Sequence, residues 1–345
     1  MQKQNLKNIV DELVKILNPR TREVIEKRFG LRSVSCQTLE AIGQNLGITR
    51  ERVRQIEALG LERLANKNVL EPMKPIFAVI EKHLADYGGV RRKDSFSKEL
   101  SEVLSLKEKN NENLITFALT LGKEKFAYFK ETSSRRNAWA LNNAAYNSAI
   151  NLVDALKKKL AEQNSPISKE MILKTANFIN NGLGDKALFS YIELCKEISQ
   201  NPFGEWGLIH SPEVSPKGVK DKAYLIFKKE QKPLHFTQVA NLINQVSFDG
   251  GRSAHSQTVH NELIKDPRFV LVGRGTYALS DWGYEPGTVC DVLVSALKNT
   301  ENGLTKEEII KIVKAKRLVK DNTIILNLQN KKVFKKIDNE RFILL

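Results

Sequence analysis

The segment QTLEAIGQNLGITRERVRQIEALGLERL, residues 37–64, is the feature that most narrows the folds open to this chain. Two amphipathic helices are predicted within it. They are separated by a tight turn at Gly47, because glycine readily adopts the left-handed conformation that ends a helix. Thr38 and Thr49 each precede one of these helices and are expected to act as N-caps. The segment therefore predicts a helix-turn-helix.

The second predicted helix has two chemically different faces. Its inner face is formed by four residues at helical spacing, namely Val53, Ile56, Gly60 and Leu64. The opposite face carries Glu51 and Gln55, one turn apart, beside Arg50 and Arg54. In the major groove of DNA, arginine pairs with guanine, glutamine pairs with adenine, and glutamate accepts a hydrogen bond from cytosine. The pattern predicts a DNA-reading helix, and the alternative is an ordinary solvated charged face.

Two stretches, LNPRTREVIEKRFGL and TLEAIGQNLGITRERVRQIE followed by LERL, resemble region 4 of primary-type bacterial sigma factors. The resemblance covers roughly residues 17–67 of the 345. It implies that the segment reads the promoter −35 element and contacts the β-flap of RNA polymerase. It also implies base or backbone contacts by Arg50, Glu51, Arg54 and Gln55, with Thr49 and Arg52 near phosphates.

Three residues depart from the pattern of that family. Leu59, Gly60 and Glu62 stand where basic or helix-favouring residues are usual. Glycine inside a helix costs about 1 kcal/mol relative to alanine, and Glu62 weakens the attraction to phosphate. These departures predict that the segment binds DNA only weakly by itself.

The chain is strongly basic, with a formal net charge of +15. A basic excess of this size is typical of proteins that bind nucleic acid. The excess is spread along the chain, and residues 146–213 form a nearly neutral stretch within it. This distribution favours several weakly basic modules over a single electrostatic clamp. We expect promoter-like double-stranded DNA and the RNA polymerase core as partners, with no membrane and no small-molecule substrate.

The sequence carries no recognisable signature of an enzyme or a metal site. Cys36, Cys195 and Cys290 are isolated from one another and lack the spacing of zinc ligands. No phosphate-binding glycine loop, HExxH or GxSxG motif is present. We therefore expect no catalytic residue, no metal and no cofactor. The absence of a signal peptide or a long apolar run predicts a soluble protein of the cytoplasm, associated with the nucleoid.

Beyond residue 68 the sequence repeats one plan with little identity between copies. Each copy has a long helix, a second helix opened by Ser or Thr, a third helix and two short strands, which is the plan of a winged helix. The expected fold class is mainly α, with a helix-turn-helix followed by tandem winged helices that have small β-hairpin wings. The predicted domains are 1–68, 72–145, 146–213 (a degenerate copy), 214–284 and 285–345. A linker is predicted around Glu71 to Pro75. The alternative is one irregular helical domain with incidental hairpins.

The third copy carries a second resemblance. PLHFTQVANLINQ, residues 233–245, and DPRFVLVGRGTYALSDWGY, residues 266–284, resemble the HARE-type winged helix. That domain occurs in the RNA polymerase delta subunit and in some restriction-associated and chromatin proteins. Thr237 is expected to cap a helix, and Gly273-Arg274-Gly275 to form a hairpin tip. Winged helices bind either DNA or protein, and the sequence leaves this choice open.

Three arginines at predicted wing tips are further candidates for DNA contact. Arg274 is placed to enter a minor groove or to touch phosphate. Arg135 and Arg136 lie in the predicted wing of the first copy and are placed to contact the DNA backbone. For all three, the alternative is an ordinary charged residue of a solvent-exposed turn.

These observations predict a DNA-binding transcription factor that acts with RNA polymerase and regulates initiation. It is not expected to melt promoters alone, because we find no aromatic-rich helical region of the kind that stacks unpaired bases. Two other classes remain open. One is a delta-like accessory or scaffold protein that binds protein rather than DNA. The other is the DNA-recognition chain of a restriction-modification system.

Overall fold

The computed structural model describes residues 6–163, 165–180, 182–246, 248, 253–298, 300, 302–337 and 340–345. Over these residues the chain is mainly helical, with 16 α-helices and small antiparallel sheets. The chain divides into two compact units. Unit 1 comprises Met1–Ser199 with Trp206–Ile209, and unit 2 comprises Gln200–Glu205 with His210–Leu345. Among the described residues, none of the helices has the length and hydropathy required to cross a bilayer.

Four helices begin unit 1. They are α1 (Leu6–Lys15), α2 (Pro19–Phe29), α3 (Leu39–Leu46) and α4 (Arg50–Leu64). Local chemistry sets the limits of α2: the Asn18 side chain accepts a hydrogen bond from the Thr21 backbone N–H, Pro19 occupies the first turn, and Gly30 ends the helix with φ 60°. Proline suits the first turn because its missing N–H has no helical partner there.

The rest of the chain repeats an order of helix, strand, two helices and two strands. The first set consists of α5 (Lys74–Asp86), β1 (Val90–Arg92), α6 (Lys93–Val103), α7 (Asn111–Leu121), β2 (Ala127–Phe129) and β3 (Ala138–Ala140). The second consists of α8 (Asn143–Glu162), α9 (Lys169–Ile179), α10 (Asp185–Leu194), β4 (Ile198–Gln200) and β5 (Trp206–Leu208). In this second set a single bridge between Ile167 and Trp206 stands in place of the first strand.

Unit 2 contains the third and fourth sets. The third consists of α11 (Val219–Glu230), β6 (Leu234–His235), α12 (Phe236–Gln245), α13 (Ser256–Lys265), β7 (Phe269–Gly273) and β8 (Thr276–Leu279). The fourth consists of α14 (Val289–Lys298), β9 (Leu304–Thr305), α15 (Lys306–Lys316), α16 (Asp321–Leu328), β10 (Phe334–Lys336) and β11 (Arg341–Leu344). The last strand of a set lies in the middle of each three-stranded sheet, in the orders β1-β3-β2, β6-β8-β7 and β10-β11-β9.

The start of α12 differs from the sequence-based expectation. His235, and not Thr237, is the N-cap residue, and it forms a capping box with Gln238. The Nδ1 atom of His235 lies 2.7 Å from the Thr237 hydroxyl. The prediction that Thr237 caps this helix is therefore wrong, because the imidazole ring of His235, two residues earlier, acts as the acceptor.

One hydrophobic core joins the N-terminal helices to the first set. Its members include Leu13, Leu31 and Leu64 from the N-terminal helices and Phe77 and Phe117 from the first set. A 3-10 turn at Glu71–Met73 leads directly into α5, and Met73 is fully buried. The predicted linker around this point is therefore wrong, because the apolar residues on either side of it bury one another.

Candidate nucleic-acid interface

Two glycines allow the tight turn between α3 and α4. Gly47 ends α3 with φ 63°, in the left-handed region that glycine enters without strain. A Cβ atom on Gly43 would lie 2.6 Å from the carbonyl oxygen of Ile48. A larger residue at position 43 would therefore push α3 away from the turn, and the pair of helices would lose its geometry.

Helix α4 presents one buried face and one exposed face. The hydroxyl of Thr49 caps the helix by accepting a hydrogen bond from the Arg52 backbone N–H at 3.2 Å. The buried residues of the helix are the four predicted from helical spacing, Val53, Ile56, Gly60 and Leu64. The remaining candidates on this helix are exposed, and they are Arg50, Glu51, Arg52, Arg54 and Gln55. Packing thus fixes which side chains of α4 meet solvent.

Helix α2 packs against the buried face of α4. A Cβ atom on Gly60 would lie 2.8 Å from Cγ2 of Thr21 and 3.2 Å from Cγ1 of Ile25. Glycine at position 60, which the sequence suggests only as a cost to helix stability, allows the two helices to approach closely. Arg28 adds a link between them through Glu57 at 3.2 Å. Helix α4 is consequently held on a rigid support.

The exposed side chains of α4 are paired with one another in the free protein. Arg54 donates two hydrogen bonds to the Glu51 carboxylate, of 2.7 and 2.9 Å. Arg52 donates one to Oε1 of Gln55 at 3.1 Å. The hydrogen bonds from Arg54 hold the pKa of Glu51 below its ordinary value. The Arg50 guanidinium forms no hydrogen bond or ion pair with any other side chain that the structure describes.

The two arginines predicted at the first wing form hydrogen bonds and an ion pair inside unit 1. Arg136 donates hydrogen bonds to the carbonyl oxygens of Glu193 and Cys195, at 3.0 and 2.6 Å. Arg135 pairs with Asp154 at 3.0 Å. Both side chains are half-buried, and they fasten the loop before β3 to the second set. A DNA contact by either guanidinium would have to replace these bonds.

Arg274 lies in unit 2, at the tip between β7 and β8, and is exposed. Gly275 forms the other half of this tip with φ 62°. The structure therefore places seven of the nine predicted residues on exposed surface, six of them on or next to α4. It does not place Arg135 and Arg136 there.

Sequence reasoning missed the role of the third helix in the first two sets. Six of the eleven residues of α7 are buried, and the helix packs against α1 and α2. Helix α10 is buried to the same degree and packs against β1. A signal was present in the segment NENLITFALTLG, since a helix that is apolar around most of its circumference is expected to be buried on more than one side.

Two asparagines on α7 and just before it fasten the chain that leads to the helix-turn-helix. The Asn113 Nδ2 group donates to the carbonyl oxygens of Gly30, Ser33 and Val34 at 3.0 to 3.3 Å. Asn110 donates to the carbonyl oxygen of Leu31 at 2.9 Å. No local sequence pattern predicts these contacts, because each asparagine lies about eighty residues along the chain from the carbonyl group that it binds.

Residues 13–66 match the family described as Sigma-70, region 4. The chain carries a sigma-70 region 4 domain at its N-terminus. Its relatives include the RNA polymerase sigma factors SigA of Microcystis aeruginosa and of Synechocystis sp., each 44% identical over 66 residues, which is 19% of this chain and 15% of the relative. SigA of Nostoc sp. is 41% identical over 68 residues, 20% of this chain and 17% of the relative. The chain thus spans less than a fifth of the length of these relatives.

Proposed function

We propose that this protein is a DNA-binding transcription factor that uses its region 4 domain to read promoter DNA. The observation that carries the proposal is the exposed face of α4. Arginine, glutamate and glutamine side chains stand there on a helix whose other face is locked into a core. A short, rigid helix of this kind fits the major groove, where these side chains distinguish base pairs.

Each exposed side chain of α4 has a distinct proposed role. Gln55 reads adenine, Glu51 accepts from cytosine, and Arg50 and Arg54 bind guanine or the backbone. Thr49 and Arg52 lie near phosphates, where the N-terminus of the helix also favours negative charge. Exposed ion pairs contribute little to stability, and an exposed hydrogen bond is readily exchanged for one to water. The pairs Glu51–Arg54 and Arg52–Gln55 can therefore be exchanged for contacts with DNA.

The proposed partner in the cell is the RNA polymerase core, contacted at its β-flap. The four repeated sets are proposed to be tandem winged helices, the third of them HARE-like, because each has the expected order of elements and three share the same strand order. We expect the protein to regulate initiation without melting promoters alone. Core polymerase with this chain only should give no start-site-specific transcript from linear promoter DNA and no permanganate-reactive thymines.

The test is selection of duplex DNA by the full chain, followed by binding measurements at fixed salt. Gln55→Ala should cost about 1–3 kcal/mol of binding to the selected site and relax preference at one base pair. Gln163→Ala removes an exposed glutamine elsewhere in unit 1 and should leave binding unchanged. Retention of polymerase in a pull-down without any selected DNA sequence would favour the accessory-protein class. Equal affinity of wild type and Gln55→Ala for the selected site would overturn the proposed role of α4.

A further inference from the structure

We propose that α13 is a second base-reading helix, so that the chain recognises two separate blocks of duplex DNA. The block assigned to α13 consists of A·T base pairs. This inference rests on the proposed function, because it takes duplex DNA as the ligand. It adds a site in unit 2 formed by the outer face of α13 and the tip at Arg274.

Burial and chemistry single out α13 among the third helices of the four sets. Helices α7 and α10 are used for packing inside unit 1, with most of their residues buried. Helix α16 is open to solvent, but it begins with the exposed carboxylate of Asp321. A carboxylate at the leading end of a helix repels phosphate. Helix α13 has no acidic residue in its first turn.

The outer face of α13 is a continuous stripe of exposed residues. Val259 and Leu263 anchor the opposite face in the core of unit 2. The exposed stripe consists of Gln257, Thr258, Asn261, Ile264 and Lys265. These positions follow the spacing of one helix face, and a single positive charge closes the stripe at its C-terminal end.

The amides on this stripe favour adenine as the base they read. Nε2 of Gln257 lies 3.3 Å from Oδ1 of Asn261, one helical turn away. Asparagine and glutamine both pair with N6 and N7 of adenine through two hydrogen bonds. Ile264 is 62% exposed, and an apolar side chain beside such amides suits the methyl group of thymine. Together these groups complement the major-groove edge of A·T pairs.

The wing tip supplies the backbone contact that positions such a helix. Arg274 is exposed at the β7–β8 tip, and Gly275 holds the tip against His235, where a Cβ atom would meet Nε2 at 2.5 Å. The acidic residue that follows α13, Asp266, is neutralised by Arg268 at 2.6 Å. Lys265 and Arg274 are therefore the positive charges that this site offers to phosphates, and such contacts fix register without reading sequence.

The experiment is selection of random duplex DNA by the full chain, compared with selection by a Gln257→Ala/Asn261→Ala variant. The wild type should enrich two sequence blocks, one of them A·T pairs. The variant should lose the A·T block, with affinity for a wild-type site falling about 5- to 150-fold for each base contact removed. It should keep the block read by α4, in which Gln55→Ala relaxes the preference at one base pair. Arg274→Ala should instead weaken all sequences and lower the log–log salt slope by about one.

A matched control is Asn322→Ala/Gln329→Ala, which removes two exposed amides on and after α16 in the same unit. It should enrich both blocks. Circular dichroism of each variant checks that unit 2 remains folded. Retention of both blocks by the α13 variant, or a single block that depends on Gln55 alone, would overturn this inference and leave the proposed function intact. Failure of the wild type to enrich any sequence would overturn both.

Discussion

On α4, we expect Glu51 to set the balance between attraction to DNA in general and preference for one sequence. Glu51 repels phosphate and holds Arg54 at 2.7 Å. Arg54 keeps the pKa of Glu51 below its ordinary value, and the carboxylate is charged at neutral pH, as glutamates ordinarily are. Glu51→Gln should therefore raise affinity for random duplex DNA and steepen its salt dependence by about one phosphate contact. It should also remove the preference for cytosine at one position.

The control for this prediction is Glu62→Gln, which removes the same charge from an exposed position of α4. It should raise affinity for random DNA slightly and leave base preference unchanged. Dissociation constants measured over a series of salt concentrations, on random and selected duplexes, separate the two effects. A Glu51→Gln variant that retains the full base preference would show that Glu51 acts only through its charge.

A polar cluster in unit 1 is centred on Arg91. Arg91 is 7% exposed. Its guanidinium donates hydrogen bonds to Glu99, at 2.6 Å, and to Glu193. It also lies over the ring of Tyr87. Nε2 of His83 lies 2.9 Å from Glu99. Burial raises the pKa of Glu99, but hydrogen bonds from Arg91 and His83 outweigh it and hold that pKa below the ordinary value. The charged form of Glu99 is therefore the one that the fold stabilises.

Because the folded-state pKa of Glu99 is depressed, its contribution to stability is present above the unfolded pKa, about 4.3, and is lost as the pH falls through the lower folded value. Chemical denaturation from pH 6 to pH 3 should show a steeper loss of stability for wild type than for Glu99→Gln. Glu62→Gln should follow the wild-type curve. Parallel curves for wild type and Glu99→Gln would contradict the role of the cluster.

The turn between α3 and α4 requires glycine at position 43, because a Cβ atom there would collide with the backbone. Gly43→Ala would gain about 1 kcal/mol of helix propensity but would place Cβ 2.6 Å from a backbone oxygen that cannot rotate away. Overpacking of this kind costs typically about 1–3 kcal/mol, so the variant should be less stable and should lose sequence-specific binding. Urea denaturation and binding to the selected site measure the two effects. Gly184→Ala, where no atom lies within 4 Å of the added Cβ, should leave binding to the selected site unchanged.

Some features of the helix-turn-helix could be predicted from the sequence, and others could not. Caps and turns were predictable, because Thr38, Thr49 and Gly47 act on neighbours within four residues. The exposed and buried faces of α4 followed from periodicity. The close approach at Gly60 did not, because its partner Thr21 is remote in sequence. The DNA-contact roles assigned to these residues stay predictions.

At the scale of the whole molecule, unit 1 uses its first repeated set to complete the fold of the region 4 domain. The apolar face of α1 lies in the same core as α5 and α7. The third helix of that set is thereby occupied in packing, whereas the outer face of α4 stays exposed to solvent. A partner that binds the apolar face of the N-terminal helices would have to displace the first set.

This shared core predicts how fragments of the chain behave. A fragment of residues 1–70 lacks Met73, Phe77, Leu114 and Phe117, and so exposes the apolar residues of α1 that they cover. Covering one such side chain contributes about 1.5–3 kcal/mol, and a whole domain is stable by only about 5–15 kcal/mol. The free energy lost with several such contacts therefore exceeds the free energy of unfolding available to the four short helices of this fragment.

A fragment of residues 1–209 keeps the whole of this core. It should unfold in one cooperative transition and bind the DNA block that depends on Gln55. The fragment of residues 1–70 should unfold at a lower denaturant concentration, or lack a transition, and should bind an apolar dye. Denaturation followed by circular dichroism, with the full chain as reference, distinguishes the two. A fragment of residues 1–70 that unfolds at the same midpoint as residues 1–209 would show that the helix-turn-helix folds without its neighbour.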